Sequence, residues 1–204
     1  GPWGATGFRG GLSSRPFSLI SARAVGKDGI ALSSVPATMK PYEIFRRLSS
    51  SEIDAIVLAA CEDDEIPDKI AGGVLSLQRV PLNRFERFTE DVRKGYVRKT
   101  LRDKRAEDLS LFVISTGLVG SKAEMIEAFL AALDLPHEGP SLTADGPVAE
   151  PAELLLKKAV ADLVKAHGKR DVAMFLSAFV EQPDVSWPSL VAMLATDEGL
   201  ALED

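Results

Sequence analysis

From Pro41 onward, apolar residues recur three and four positions apart, and this spacing constrains the fold more than any other feature of the chain. Residues with this spacing lie on one face of an α-helix, whereas a half-buried strand requires strict alternation. The clearest apolar faces contain Ile53, Ile56, Val57 and Ala60; Met125, Ile126, Phe129, Leu130 and Leu133; and Leu156, Val160, Leu163 and His167. The periodicity predicts helices near residues 41–48, 51–61, 66–78, 82–88, 90–104, 107–118, 122–134, 151–167, 170–181 and 188–196.

Helix start and stop signals support this prediction. Ser49 and Glu52 have the spacing of a capping box, in which a hydroxyl and a carboxylate each accept from a backbone N–H at the helix start. Ser121 and Glu124 have the same spacing. Gly168 follows a predicted helix and suits its C-terminal end. We therefore expect Ser49 and Ser121 to be N-caps.

The chain also contains a candidate internal repeat. Residues 52–77, moved forward by 56 positions, place apolar residues on apolar residues without a gap, and residues 108–113 match residues 171–176 after a further shift of 63. The alignment describes three helical hairpins, although amphipathic helices of equal period also match by coincidence. Short helices with short links predict an all-α fold: a compact array of short antiparallel helices, either a bundle or an α-solenoid of the armadillo or HEAT kind.

One segment permits an α/β interpretation. Residues 111–114 are an apolar run that could form a buried strand leading into Gly117, Gly120 and a helix. No regular alternation of strands and helices occurs elsewhere in the chain. We therefore prefer the all-α fold and keep the α/β fold as the alternative.

Composition divides the chain into two parts. Residues 1–38 form an irregular, basic tail rich in Gly, Ser and Arg, and residues 39–204 form a single helical domain, with a surface loop over residues 136–151. Three interpretations of the tail stay open: residues that precede a natural start at Met39, an Arg- and Ser-rich mitochondrial targeting segment, or a docking arm. A docking arm would contact a surface through its apolar residues, Trp3, Phe8, Phe17 and Ile20.

Charge is distributed unevenly along the chain. The net charge of −6 argues against general binding to nucleic acid. Residues 1–40 nevertheless carry +4 and residues 79–105 carry +6, which leaves −16 on the remainder. The sequence therefore predicts one basic segment and a basic tail on an acidic body.

A basic stripe within that segment is the strongest candidate binding feature. Four cations are spaced four, four and three positions apart on the helix predicted over residues 90–104, with apolar residues facing inward. The cations are Lys94, Arg98, Arg102 and Arg105, the apolar residues are Val92, Val97 and Leu101, and Arg84, Arg87 and Tyr96 complete the candidate site. Because the cations are expected to be exposed, charge reversal at Lys94, Arg98 and Arg102 is expected to leave stability unchanged.

Three interpretations of the stripe stay open. It could bind nucleic-acid phosphates, with Tyr96 offering a ring on which bases stack. It could instead bind an acidic protein surface, or be an ordinary solvated face paired with the protein's own carboxylates.

No motif in the sequence predicts catalysis. Residues 117–122 resemble a phosphate loop only superficially, because two residues rather than four separate the glycines and the Lys follows the Ser. His137 and His167 lack the spacing of a zinc protease, and Cys61 ends an apolar face, which is typical of a packing residue. The densest acidic run contains Glu62, Asp63, Asp64, Glu65 and Asp68. These carboxylates could hold Mg²⁺ or Ca²⁺, but they lack the spacing of a calcium loop and more simply form a solvated turn before a helix.

The sequence predicts a non-catalytic helical module that binds another protein, or a second copy of itself, without a cofactor or metal. The alternative is a nucleic-acid-binding helical protein that uses residues 84–105, and a lesser alternative is a divalent-metal-dependent enzyme that uses residues 62–68. The lone Cys61 cannot form an internal disulfide, and no apolar run is long enough to span a membrane. We expect a soluble cytoplasmic protein, or a mitochondrial matrix protein if the tail is a targeting segment.

Overall fold

The structure, a computed structural model, describes residues 38–197 and 200–202. Apart from Thr38, the predicted tail and its four apolar residues lie outside the described residues. The described part contains ten α-helices: α1 Pro41–Arg47, α2 Ser50–Ala60, α3 Ile66–Leu77, α4 Leu82–Phe85, α5 Glu90–Leu101, α6 Glu107–Ser121, α7 Ala123–Ala132, α8 Glu153–His167, α9 Lys169–Phe179 and α10 Pro188–Thr196. A 3₁₀ turn at Lys104–Ala106 precedes α6, and two short strands, β1 His137–Glu138 and β2 Ser141–Leu142, form an antiparallel hairpin.

The predicted all-α fold is confirmed. Each helix predicted from the periodicity has an observed counterpart, although α4 and α5 end three residues earlier than predicted. The α/β alternative is wrong for the described residues, because residues 111–114 lie inside α6. The three-hairpin repeat stays a prediction, since helices at matching positions do not by themselves demonstrate a repeat.

The central element of the fold is α6, which contacts α1, α2, α3, α5, α7 and α9. A helix that is surrounded in this way carries apolar residues on most of its sides, which explains why residues 111–114 resemble a buried strand. Gly117 lets α6 approach α2 closely, because a Cβ atom at this position would lie 2.4 Å from the carbonyl oxygen of Ile56. Among the described residues, no single helix is long and apolar enough to span a membrane; only α6 with its preceding turn, taken together with α7, passes that test, and the two are bent by 92°.

Two of the predicted helix signals are confirmed and one is wrong. The Oγ of Ser49 accepts from the N–H of Glu52 at 3.2 Å, and the Glu52 carboxylate accepts from the N–H of Ser49 at 2.7 Å, so this capping box begins α2. Gly168 ends α8 with a φ of +86°. Ser121 does not cap α7, because it forms the last residue of α6 and its hydroxyl donates to the carbonyl of Gly117 at 2.7 Å.

The loop over residues 136–151 packs against the C-terminal helices. Gly139, with a φ of +56°, turns the chain between β1 and β2. The carbonyl of Val148 accepts from the indole N–H of Trp187 at 2.9 Å, and the carboxylate of Glu150 accepts from the N–H of Ser189 at 2.7 Å in the first turn of α10. Trp187 is buried in an aromatic cluster whose other members are Phe129, Phe175 and Phe179.

The end of the described chain returns to its first helix. Leu200 and Leu202 are buried in the same core as Ile44 and Phe45 of α1. A guanidinium nitrogen of Arg47 donates to the carbonyl of Leu202 at 2.7 Å, although 155 positions separate the two residues. The core is therefore continuous from α1 to residues 200–202.

Candidate anion-binding site

The predicted basic stripe lies on α5, but the helix is shorter than the prediction. Val97 and Leu101 are buried, as predicted, whereas Val92 in the first turn is 43% exposed. The backbone leaves the helix after Leu101 because the carboxylate of Asp103 accepts from the N–H of Arg105 at 2.9 Å and so caps the following 3₁₀ turn. Arg105 is therefore not on the helix, and the predicted stripe of four cations is corrected to Lys94 and Arg98 within α5 and Arg102 at its C-cap.

Arg98 is held by a carboxylate from a neighbouring helix. Its Nε and one terminal nitrogen donate to the two oxygens of Asp54 on α2, each at 2.8 Å. The Asp54 hydrogen bonds raise the pKa of Arg98 further above its usual value. This bidentate geometry joins α5 to α2, and the other terminal nitrogen of Arg98 has no partner in the described part of the chain.

Arg102 is held by backbone carbonyls at the end of α1. Its Nε donates to the carbonyl of Phe45 at 3.1 Å, and a terminal nitrogen donates to that of Leu48 at 3.0 Å. In return, the Nε of Arg46 donates to the carbonyl of Arg102 at 2.9 Å. Cations at these positions satisfy carbonyls that the last turn of a helix leaves without a partner. Arg98 and Arg102 thus connect helices, which corrects the expectation that both are simply exposed.

The other stripe cations are engaged in local ion pairs. Lys94 lies 2.9 Å from Glu90, one turn earlier on the exposed surface of α5, and this hydrogen bond raises the pKa of Lys94. Arg105 lies 2.6 Å from Asp103 and lowers the pKa of that carboxyl to about 2.

The remaining predicted site residues lie near α4. The guanidinium of Arg84 lies 5.9 Å from the ring centroid of Phe88, and Arg87 is exposed. The rings of Tyr96 and Phe88 stack in parallel with their centroids 5.2 Å apart. One face of Tyr96 is therefore already covered by the protein's own side chain.

A basic pocket lies where α1, α2 and the C-terminal end of α5 meet, with a volume of about 540 Å³. Five cations line this basic pocket: Arg46, Arg98, Lys99, Arg102 and Lys104. Ser50, Gly95 and Asp103 complete its lining. Two of the seven residues predicted for the site, Arg98 and Arg102, are thus brought together here, and the other five are not.

Positive charge is in excess in the basic pocket. Among the described residues, Asp103 is the one carboxylate that lines it and is already paired with Arg105, and Arg98 is paired with Asp54 outside the lining. Lys99 and Lys104 are exposed, and neither has an ion pair among the described residues. Ser50 begins α2, so its N–H is one of those that a helix leaves without an intrahelical acceptor. This arrangement suits an anion, since cations and helix N–H groups both stabilise negative charge.

Sequence reasoning missed three of the five pocket cations. Lys99 follows Arg98 and falls outside a stripe defined by spacings of three and four, Lys104 follows the end of α5, and Arg46 belongs to another helix. The signal that could have found Arg46 is its position in the last turn of a predicted helix, next to Arg47.

The other candidate groups have local structural roles. In the acidic turn, Asp63 accepts from the N–H of Glu65 at 2.9 Å and Lys69 pairs with Glu65 at 2.9 Å. Among the described residues, no three His, Cys, Asp or Glu side chains gather in a geometry that could hold a metal ion. Cys61 is half-buried at the end of α2, and burial raises the pKa of its thiol.

No protein-family model, curated protein or solved structure matches the chain. The basic pocket brings five cations together at one place on the described part of the chain.

Proposed function

We propose that this chain is a non-catalytic helical interaction module that binds an acidic partner protein through the basic pocket. The observation that carries the proposal is the charge of the pocket lining, which has five cations and one carboxylate that is already paired. Exposed cations such as Lys99 and Lys104 attract an acidic surface over several ångströms and orient it before contact.

The way the pocket is built supports a binding role. Arg98 and Arg102 are fixed by hydrogen bonds to α2 and α1, while Lys99 and Lys104 stay exposed beside them. Fixed guanidinium groups lose little conformational freedom when a partner binds, so more of the interaction energy is left for affinity.

Nucleic acid, bound through residues 84–105, is the second candidate and receives less support. Single-stranded nucleic acid is bound by exposed aromatic rings beside a continuous basic groove. One face of Tyr96 is stacked on Phe88, and Lys94, a stripe cation outside the pocket lining, is paired with Glu90.

The test is charge reversal of the two unpaired lysines. The double variant Lys99→Glu/Lys104→Glu should fold like the wild type, because both side chains are exposed and glutamate is a good helix former. We expect it to lose a protein that wild-type chain captures from cell extract, and to bind that purified partner at least about tenfold more weakly.

The matched control is Lys158→Glu/Lys165→Glu, which changes charge equally on exposed positions of α8 away from the pocket. Equal capture by the wild type, the pocket variant and the control would contradict the proposal. Loss of binding to duplex or single-stranded oligonucleotides at low salt, without loss of a protein partner, would favour the nucleic-acid candidate.

A further inference from the structure

We infer that the basic pocket is a binding site for a phosphate monoester, carried by a phosphorylated residue of the partner protein. The inference rests on the proposed function and adds the chemical group that the pocket recognises. Three features that lie together support it: the pocket, the surplus of cations in its lining and the first turn of α2.

The pocket arginines keep donors available for a ligand. A guanidinium has five N–H donors. In Arg98 and Arg102, the bonds to Asp54 and to the α1 carbonyls use Nε and one terminal nitrogen, so the second terminal nitrogen of each has no partner among the described residues. In Arg46 only Nε is used, and the guanidinium lies 5.0 Å from the ring centroid of Tyr42. Three oriented guanidinium groups therefore border the pocket with unused donors.

The first turn of α2 borders the pocket at Ser50 and has unused backbone donors. The Ser49 hydroxyl and carbonyl accept from the N–H groups of Glu52 and Ile53, whereas the N–H groups of Ser50 and Ser51 have no acceptor among the described residues. The nearby carboxylate of Glu52 does not cancel this potential, because Arg170 lies 2.6 Å from it. A phosphate accepts hydrogen bonds from such free N–H groups and gains from the helix dipole.

The amount and the clustering of positive charge favour a monoester. Near neutral pH a phosphorylated side chain carries a charge of about −1.5 to −2 and has three acceptor oxygens, whereas a carboxylate carries a single charge. A nucleic-acid phosphodiester also carries a single charge and needs cations repeated along a path. Here five cations border one open pocket, and the path along α5 is interrupted where Lys94 pairs with Glu90.

The experiment measures binding of small anions by the whole chain, from the chemical shifts of its backbone amides. The probes are inorganic phosphate and O-phosphoserine, with glutamate as the carboxylate and an oligonucleotide without terminal phosphates as the diester. We expect saturable shifts at Ser50, Ser51, Lys99 and Lys104, with O-phosphoserine bound more tightly than glutamate or the oligonucleotide. The double variant Lys99→Gln/Lys104→Gln should bind O-phosphoserine at least about tenfold more weakly.

The control variant is Lys158→Gln/Lys165→Gln, which removes the same charge from exposed positions of α8 and should bind like the wild type. Equal affinity for glutamate and O-phosphoserine, stronger binding of the oligonucleotide, or shifts that Lys99→Gln/Lys104→Gln does not change would each overturn the inference. Phosphatase treatment of the captured partner distinguishes the phosphate inference from the proposed function. A partner lost after dephosphorylation supports both, whereas one that stays bound but still requires Lys99 and Lys104 overturns only the phosphate inference.

Discussion

At the scale of single residues, the five pocket cations divide into three arginines that hydrogen bonds hold in the fold, with Arg46 bonded to the carbonyl of Arg102, and two lysines without an ion pair among the described residues. Arg98 and Arg102 make bonds to α2 and α1, while Lys99 and Lys104 have no ion pair among the described residues. Substitution of Arg98 or Arg102 should therefore change stability more than substitution of the neighbouring Lys99 or Lys104. Charge reversal at Arg98 or Arg102 should destabilise the protein, contrary to the expectation from the sequence.

The pair of Arg98 and Asp54 gives a quantitative test of this division. Because the pair is bidentate and only 25% and 30% exposed, alanine at both positions in a double-mutant cycle should reveal a coupling free energy of about 1 kcal/mol, near the upper end for surface pairs. Urea denaturation measures it. The neighbouring variant Lys99→Ala should change the free energy of unfolding by less than about 0.5 kcal/mol. A coupling indistinguishable from zero would mean that the pair does not stabilise α5 against α2.

The ionisation of Glu52 makes the stability of the folded protein depend on pH in the acidic range. Its pKa is lowered from 4.5 to about 2, first because Arg170 donates a hydrogen bond to the carboxylate and then because Ser49 does. Since the folded state binds this proton more weakly than the unfolded chain, the contribution of Glu52 is complete above pH 4.5 and is lost as the pH falls from 4.5 through about 2.

The variant Glu52→Gln should therefore lower stability near neutral pH and flatten its decline in that acidic range. Thermal unfolding from pH 6 to pH 2 measures the slope. The control variant Glu124→Gln, in the exposed first turn of α7, lacks an ion pair among the described residues and should leave the slope closer to that of the wild type. An unchanged slope for Glu52→Gln would show that the contact with Arg170 does not lower the pKa of Glu52.

At the scale of helices, the contact between α2 and α6 depends on Gly117. Alanine there would gain about 1 kcal/mol of helix propensity, but its Cβ would lie 2.4 Å from the Ile56 carbonyl oxygen, so the helices must separate. We expect Gly117→Ala to destabilise the protein by about 2 kcal/mol, within the usual range for overpacking. Gly72→Ala on α3 is the control: nothing lies within 4 Å of its added Cβ, so it should stabilise by about 0.5–1 kcal/mol. Chemical denaturation of both variants decides the matter, and a neutral Gly117→Ala would contradict the close approach.

The helices could be predicted because their signals are local. A spacing of three and four positions follows from the helical repeat itself, so it can be recognised without knowing what the helix packs against. The predictions were wrong where a polar side chain makes a different local hydrogen bond from the one that its spacing indicates. Ser121 has the spacing of an N-cap but bonds back to Gly117, and α5 stops early because Asp103 caps the next turn.

At the scale of the whole molecule, the candidate site could be predicted only in part, because it is assembled by packing. Arg46 and Arg98 are 52 positions apart along the chain and meet only when α1 and α5 lie side by side. The sequence indicates a basic segment, and it cannot show which cations a neighbouring carboxylate or carbonyl will occupy. The folded protein brings four cations of the basic segment together with Arg46 from α1 in one pocket.

The contact between Arg47 and Leu202 also affects when the core can be completed during synthesis of the chain. During synthesis, α1 leaves the ribosome 155 residues before the leucine whose carbonyl it binds, and Ile44 and Phe45 lack part of their core until then. Packing between such distant positions slows folding and leaves apolar surface exposed to other chains in the interval. A nascent chain must therefore keep α1 from premature association until Leu200 and Leu202 have been made.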